Sequence, residues 1–106
     1  MKRLENKTAI ITGGADGIGK AGVKRFAEEG ANVIIWDVNA EKAQGTIEEL
    51  KSIKLDVGFM KVDTSNRADV EKATQAIIEK HGKIDILVNN AGITRDASLK
   101  KMTPEQ

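Results

Sequence analysis

The chain has 106 residues and a formal net charge of +1, because 17 Lys and Arg residues nearly balance 16 Asp and Glu residues. This length allows a single domain, residues 1–106, and the balanced charge argues against binding to nucleic acid. The absence of cysteine excludes disulfides and Cys-ligated metals, and one histidine argues against a His-based metal site. No apolar run approaches the roughly 18 residues of a membrane span, and the amino terminus lacks the apolar stretch of a signal peptide, so we expect a cytoplasmic protein without membrane contact.

Short apolar runs alternate along the chain with amphipathic stretches, a pattern that predicts strands alternating with helices. The first strand is predicted at residues 8–11. The stretch from Gly13 to Glu29 follows it and contains the first helix, with Gly30 just beyond the helix end. The second strand is predicted at 32–36. The following helix begins after Asn39, an N-cap residue, and its apolar stripe comprises Ala43, Ile47 and Leu50 and can extend to Ile53.

The second half of the chain repeats this alternation. A weaker third strand is predicted at residues 57–62, and Asn66 with Asp69 resembles a capping pair that opens the next helix. Gly82 closes this helix, and a fourth strand is predicted at 84–88. The residues predicted to face inward from the helix are Val70, Ala73, Ile77 and Ile78.

The apolar runs are too continuous to leave one face of the sheet in water. Strands that are buried on both faces and joined by helical crossovers form a parallel sheet covered by helices on each side. We therefore predict an α/β fold, a three-layer half of a Rossmann-type domain, with about four parallel strands in the order 3-2-1-4.

A glycine-rich loop joins the first strand to the first helix. Gly13 allows a sharp turn off the strand, Gly17 allows a pyrophosphate to approach the backbone, and Gly19 allows the helix to pack closely on the sheet. Together with Ile18, these residues place a helix N-terminus, with its unpaired N–H groups, against the phosphates. Residues 17–22 also match G-x-G-x-x-G literally, but this match is not the phosphate-binding motif, because it starts at the helix and not at the end of the strand.

An acidic residue follows the second strand. Asp37 lies where a dinucleotide fold places the carboxylate that accepts hydrogen bonds from the adenosine ribose. This carboxylate and the nearby Asp16 would repel the 2′-phosphate of NADP, so the two residues favour NAD as the cofactor over NADP. The alternative is that Asp37 is only a cap or turn residue at a strand end.

The combined motifs resemble those of the classical short-chain dehydrogenases/reductases. They are Thr12-Gly13-x-x-x-Gly17-Ile18-Gly19, Asp63 after the third strand, and Asn89-Asn90-Ala91-Gly92 after the fourth. Residues 93–96 make the chain most similar to the 3-oxoacyl-acyl-carrier-protein reductases and the related acetoacetyl-CoA reductases. The resemblance implies that Asp63 contacts the adenine amino group, with backbone from Thr64. It also implies that Asn90, Ala91 and Gly92 line the cofactor, while Asn89 braces the central strand.

The same resemblance implies catalysis by a Ser, a Tyr-x-x-x-Lys pair and an Asn that would follow later in such a protein. This sequence contains no tyrosine. Residues 103–106 are typical of a helix start, so we expect a truncated nucleotide-binding portion of an oxidoreductase, inactive by itself. The alternatives are a disordered polar tail at these residues, an enzyme completed by another chain, or a fold fragment without activity.

The predicted strand order leaves the fourth strand at an edge of the sheet. Its composition is that of a central strand, and an apolar edge with open N–H and C=O groups is a template for another strand. We therefore expect a homodimer joined near the fourth strand, through Ile86, Val88 and Ile93 or by direct edge pairing.

Overall fold

The computed structural model describes residues 3–15 and 17–90. The elements in these ranges are β1 (Thr8–Thr12), α1 (Gly17–Glu28), β2 (Asn32–Asp37), α2 (Ala40–Lys51), β3 (Gly58–Lys61), α3 (Arg67–His81) and β4 (Ile86–Asn89). The predictions for Asp16, Ala91, Gly92 and the rest of residues 91–106 lie outside the described part of the chain. Within that part, no helix has the length and apolar character needed to cross a membrane.

The strands form one parallel sheet in the order β3-β2-β1-β4, as the alternation of apolar runs predicts. Ile10 in the middle of β1 pairs with Ile34 of β2 on one side and with Leu87 of β4 on the other. Because all four strands run in the same direction, their carboxyl ends meet at one edge of the sheet, where ligands bind in folds of this type.

Each face of the sheet is covered by its own hydrophobic cluster, so the predicted three layers are present. Alternate side chains of a strand point to opposite faces. One face therefore presents Ile11 and Ile35 to α1 and α2, and the other presents Ile10 and Ile34 to α3. Trp36 belongs to the second cluster and is 4% exposed, as expected for a residue that packs in the core.

The helix ends follow the capping residues seen in the sequence. The Asn39 side chain accepts a hydrogen bond from the Lys42 amide, and the Asn66 side chain accepts one from the Asp69 amide. Gly30 and Gly82 have φ angles of 95° and 85°, in the left-handed region that favours glycine after a helix. The Asn66–Asp69 pair is only half of a reciprocal capping box, because the Asp69 carboxylate accepts from the Asp63 amide.

Helix α1 begins at Gly17, where the sequence motif placed the helix start, and Gly13 lies in the preceding loop with a φ of 65°. Two local predictions were wrong. Ile78 is 42% exposed, since one helical step turns it about 100° away from the buried Ile77. Ile53 is 50% exposed, because α2 ends at Lys51 before reaching it.

Candidate functional site

The glycine loop leaves the carboxyl end of β1 and turns directly into α1. Its first residue, Gly13, donates its N–H to the Trp36 carbonyl of β2 at 2.8 Å, so the turn is fastened to the neighbouring strand. Gly17 opens the helix with a φ of 56°, and a Cβ placed on it would meet no atom within 4 Å. Glycine at this position therefore gives the backbone its conformation and leaves space above the helix N-terminus.

Gly19 is required for a different reason from the one predicted. A Cβ on Gly19 would lie 2.1 Å from the Gly13 carbonyl oxygen, so the helix packs against the loop itself more closely than any side chain permits. The same carbonyl oxygen accepts a hydrogen bond from the Asn90 side-chain amide at 3.2 Å. Asn90 therefore braces the glycine loop from the end of β4, while Asn89 accepts a hydrogen bond from the Thr12 hydroxyl at 3.1 Å and links β1 to β4.

Gly14 is a further constrained position that the sequence did not reveal. A Cβ there would lie 2.9 Å from Val23 Cγ2, 3.1 Å from Ile35 Cγ2 and 3.2 Å from the Ile11 carbonyl oxygen. Its requirement comes from packing between α1 and the sheet, which the spacing of glycines in the loop does not encode.

Asp37 at the end of β2 is held by backbone N–H groups on both carboxylate oxygens. Its Oδ2 accepts from the Ala15 amide at 3.2 Å, and its Oδ1 accepts from the Asn39 amide at 2.9 Å. The first bond ties the carboxylate to the glycine loop, and the second ties it to the start of α2. An ionised carboxylate has about four acceptor positions, so these bonds leave capacity for donors from a ligand.

Asp63 follows Val62 beyond the end of β3 and is exposed. Its Oδ1 accepts from the Ser65 hydroxyl at 2.6 Å and from the Ser65 amide at 3.0 Å. These two hydrogen bonds hold the pKa of the Asp63 carboxyl below its ordinary value. Asp63 is therefore ionised near neutral pH and acts as an acceptor of hydrogen bonds.

A cavity of about 290 Å³ lies between these strand ends. This volume is near the lower end of the range of about 300–1,000 Å³ that is usual for small-molecule sites. It brings together Gly13, Asp37, Asp63 and Thr64, which the sequence had indicated. Sequence reasoning did not assign the other four residues of its wall to the site: Trp36, Val38, Val62 and Ser65. Val38 is 57% exposed. Its position directly after Asp37 was a signal in the sequence that could have assigned it to the site.

A second cavity, of about 300 Å³, lies at the amino ends of β2 and β3 and is lined by Asp56, Lys80 and His81 among others. It is marginally larger, but the glycine loop, Asp37 and Asp63 all lie at the opposite edge of the sheet. We therefore place the candidate site at the carboxyl edge. In residues 3–15 and 17–90, no group of His, Asp or Glu side chains is arranged to hold a metal ion.

The short chain dehydrogenase family model matches residues 7–106 of this sequence, nearly its whole length. The chain belongs to the short-chain dehydrogenase family. The resemblance to this family that the sequence motifs indicated is therefore confirmed.

Relatives within the short-chain dehydrogenases are considerably longer than this chain. It is 48% identical to 3-oxoacyl-acyl-carrier-protein reductase of Chlamydia pneumoniae over 102 residues, covering 96% of this chain and 41% of the relative. The corresponding reductase of Thermotoga maritima is 42% identical, with 97% and 42% covered. A metagenomic short-chain oxidoreductase, solved in complex with NADP, superimposes with a TM-score of 0.78 at 26% identity and covers 82% of this chain and 39% of its own. The chain therefore spans about two fifths of the length of the curated relatives.

Proposed function

We propose that this chain binds a nicotinamide adenine dinucleotide and forms the cofactor-binding portion of a short-chain oxidoreductase. The observation that carries the proposal is the Asp37 carboxylate, which borders the cavity and is held in place by the Ala15 amide of the glycine loop. In this arrangement a ribose on Asp37 lies beside a pyrophosphate on the loop. The adenine then lies in the cavity near Val38 and Asp63.

The residues present fit such a cofactor. The space above Gly17 and the first N–H groups of α1 suit the pyrophosphate, because helix N-termini attract anions. Ile18 is 73% exposed beside this space, and a bound dinucleotide would cover it. When bound, the nicotinamide supplies the hydride, whereas the residues of this chain bind and orient the adenosine and phosphate groups.

We infer that NAD is preferred over NADP. A carboxylate at Asp37 accepts hydrogen bonds from ribose hydroxyls, but it repels a 2′-phosphate at the same position. The neighbouring Asp16 adds a second negative charge in the sequence. NADP in the metagenomic relative belongs to a protein only 26% identical to this one, so its cofactor is no guide to the ribose site of this chain.

The reaction proposed for the complete enzyme is hydride transfer between the cofactor and a 3-oxoacyl thioester or a similar carbonyl compound, by analogy with the reductases at 42–48% identity. Protonation of the developing alkoxide requires a general acid, which contributes about 10²- to 10⁴-fold to the rate. The resemblance assigns this role to a tyrosine, and the 106 residues contain none. We therefore expect the isolated chain to show no NADH oxidation with acetoacetyl-CoA, and turnover that copurifies with this polypeptide would contradict this expectation.

Titration of the purified chain with NAD, NADP and ADP-ribose tests the binding proposal. Trp36 lines the cavity and is the one tryptophan of the sequence, so its fluorescence reports binding directly and calorimetry gives the dissociation constants. We expect NAD to bind at least about tenfold more tightly than NADP, which corresponds to about 1.4 kcal/mol. ADP-ribose should bind about as well as NAD, because the proposed contacts are with the adenosine and phosphates.

A substitution at Asp37 tests the effect of its charge on the preference for NAD, and a substitution at a distant carboxylate is the control. Asp37→Asn removes the charge but keeps an acceptor, so it should narrow the preference for NAD. Asp56→Asn is the matched control, because it removes one carboxylate at the opposite edge of the sheet and should leave the preference unchanged. Equal affinities for NAD and NADP in the unmodified chain would refute the assignment of Asp37.

We also propose that the chain forms a homodimer through the edge of β4 that lies opposite β1, which pairs with no other strand of the described residues. Leu87 in this strand is 59% exposed, and β4 pairs with β1 on one side. Burial of apolar surface contributes about 25 cal/mol per Å², which favours pairing with a second copy at this edge. Sedimentation equilibrium at micromolar concentration should show a dimer that Leu87→Lys dissociates. Ile78→Lys on the exposed face of α3 is the control, and a folded monomer across the range would refute the proposal.

A further inference from the structure

Helix α2 buries one hydroxyl group among otherwise apolar contacts. Its buried residues are Ala43, Thr46 and Leu50, and Thr46 is 2% exposed. A buried hydroxyl almost always has a hydrogen-bond partner, because leaving it unpaired costs more than the bond itself gains. Here the Thr46 hydroxyl donates to the Ala15 carbonyl oxygen at 2.9 Å, across 31 positions in the sequence.

Ala15 is thereby held from two sides. Its carbonyl accepts from Thr46 of α2, and its N–H donates to Oδ2 of Asp37 at the end of β2. Ala15 itself is 4% exposed, so water has little access to replace either bond. The orientation of one residue in the glycine loop therefore depends on a hydroxyl of α2 and in turn orients the Asp37 carboxylate.

The other carboxylate oxygen of Asp37, Oδ1, is also linked to α2. Oδ1 accepts from the Asn39 amide, and the Asn39 side chain accepts from the Lys42 amide at the first turn of α2. Thus α2 reaches Asp37 by two routes, through its N-cap and through Thr46 with Ala15. A movement of α2 would displace both hydrogen bonds to the carboxylate.

We propose that Thr46 is a positioning residue for the ribose-binding carboxylate of Asp37, on which it acts through Ala15, whose carbonyl and N–H belong to the two peptide groups on either side of its Cα. Thr46 is buried and is not among the residues that line the cavity beside Asp37. The effect on cofactor affinity rests on the proposed function, whereas the effect on the loop does not require a ligand at all.

The test compares Thr46→Val with Thr46→Ser in the full 106-residue chain. Valine keeps the shape of the side chain and removes the donor, while serine keeps the donor. Leu50→Val is the matched control, because it trims a buried side chain of the same helix and leaves the hydroxyl of Thr46 intact. All measurements are made at a temperature at which circular dichroism shows each variant to be folded.

The first readout is amide hydrogen exchange by NMR without ligand. Thr46→Val should speed exchange of the Ala15 amide about fivefold or more relative to the amides of β1, the factor expected from one hydrogen bond. In Thr46→Ser the Ala15 amide should exchange about as slowly as in the unmodified chain. Leu50→Val should leave the ratio of Ala15 exchange to β1 exchange unchanged. The second readout is NAD affinity, which should weaken by a similar factor in Thr46→Val and remain within about twofold in the other two variants.

The two readouts separate failure of this inference from failure of the proposed function. Unchanged Ala15 exchange in Thr46→Val, or an equal effect of Leu50→Val, would overturn the positioning role even if NAD binds well. Faster Ala15 exchange in a protein whose unmodified form binds neither NAD nor ADP-ribose would overturn the proposed function while supporting the role of Thr46 in orienting Asp37.

Discussion

Replacement of Gly19 by alanine tests the close contact between α1 and the glycine loop. The added Cβ would lie 2.1 Å from the Gly13 carbonyl oxygen and 2.7 Å from the Asn90 side-chain nitrogen. Ordinary contacts begin near 3.4 Å, so the helix and the carbonyl must separate by about 1.3 Å. The nearest atom belongs to the backbone, and it cannot move aside as the end of a flexible side chain would.

The expected change in the free energy of unfolding combines two destabilising contributions and one stabilising contribution. Overpacking of this kind costs about 1–3 kcal/mol. Displacement of the Gly13 carbonyl also weakens the hydrogen bond from Asn90, which contributes about 1 kcal/mol. Alanine is favoured over glycine inside a helix by about 1 kcal/mol. We therefore expect Gly19→Ala to lower the free energy of unfolding by about 1–3 kcal/mol and the melting temperature by roughly 4–20 °C.

Gly22→Ala is the matched control one turn further along α1. A Cβ at Gly22 would find its nearest neighbour, Ile11 Cδ1, at 3.9 Å, an ordinary contact. This variant should keep or raise stability by up to about 1 kcal/mol, the helix-propensity gain alone. Thermal and urea denaturation followed by circular dichroism measure both effects. A melting temperature of Gly19→Ala equal to or above that of the unmodified chain would refute the geometric reasoning.

Two further predictions concern Asp85, which precedes β4, and Asn66, the N-cap of α3. The Asp85 carboxylate accepts hydrogen bonds from the Thr8 amide and, with a smaller effect, from the Lys83 ammonium group. These hydrogen bonds lower the pKa of Asp85 in the folded protein. The stabilisation that they give is therefore present above about pH 4 and is lost as the pH falls through the lowered pKa. Asp85→Asn should therefore reduce the loss of stability in acid, measured by urea denaturation between about pH 6, well above the ordinary carboxyl pKa values, and about pH 3, roughly one unit below them. Superimposable pH profiles of the variant and the unmodified chain would contradict this. Asn66→Ala removes the N-cap of α3 and should cost about 1 kcal/mol, while Asn66→Asp keeps an acceptor and should lose far less; equal losses in the two variants would show that the cap is not responsible.

The sequence by itself determined the order of elements, the parallel sheet and most helix ends. These features depend on local chemistry: β-branched runs predict buried strands, Asn39 and Asn66 accept from amides three residues ahead, and Gly82 adopts a left-handed conformation. The strand order follows because buried parallel strands with helical crossovers have few alternative topologies. Asp37 and Asp63 could be assigned to the same edge for the same reason.

Only the tertiary structure decided which partners those residues have. A threonine in α2 reads as a polar surface residue, and nothing near it in the sequence reveals that its hydroxyl binds the Ala15 carbonyl. Asn90 is 77 positions away from the Gly13 carbonyl that it braces, and Gly14 is constrained by Val23 and Ile35 from two different elements. Such contacts arise between segments that meet only after the sheet has formed, so their distances and directions are properties of the packed chain and not of any local pattern.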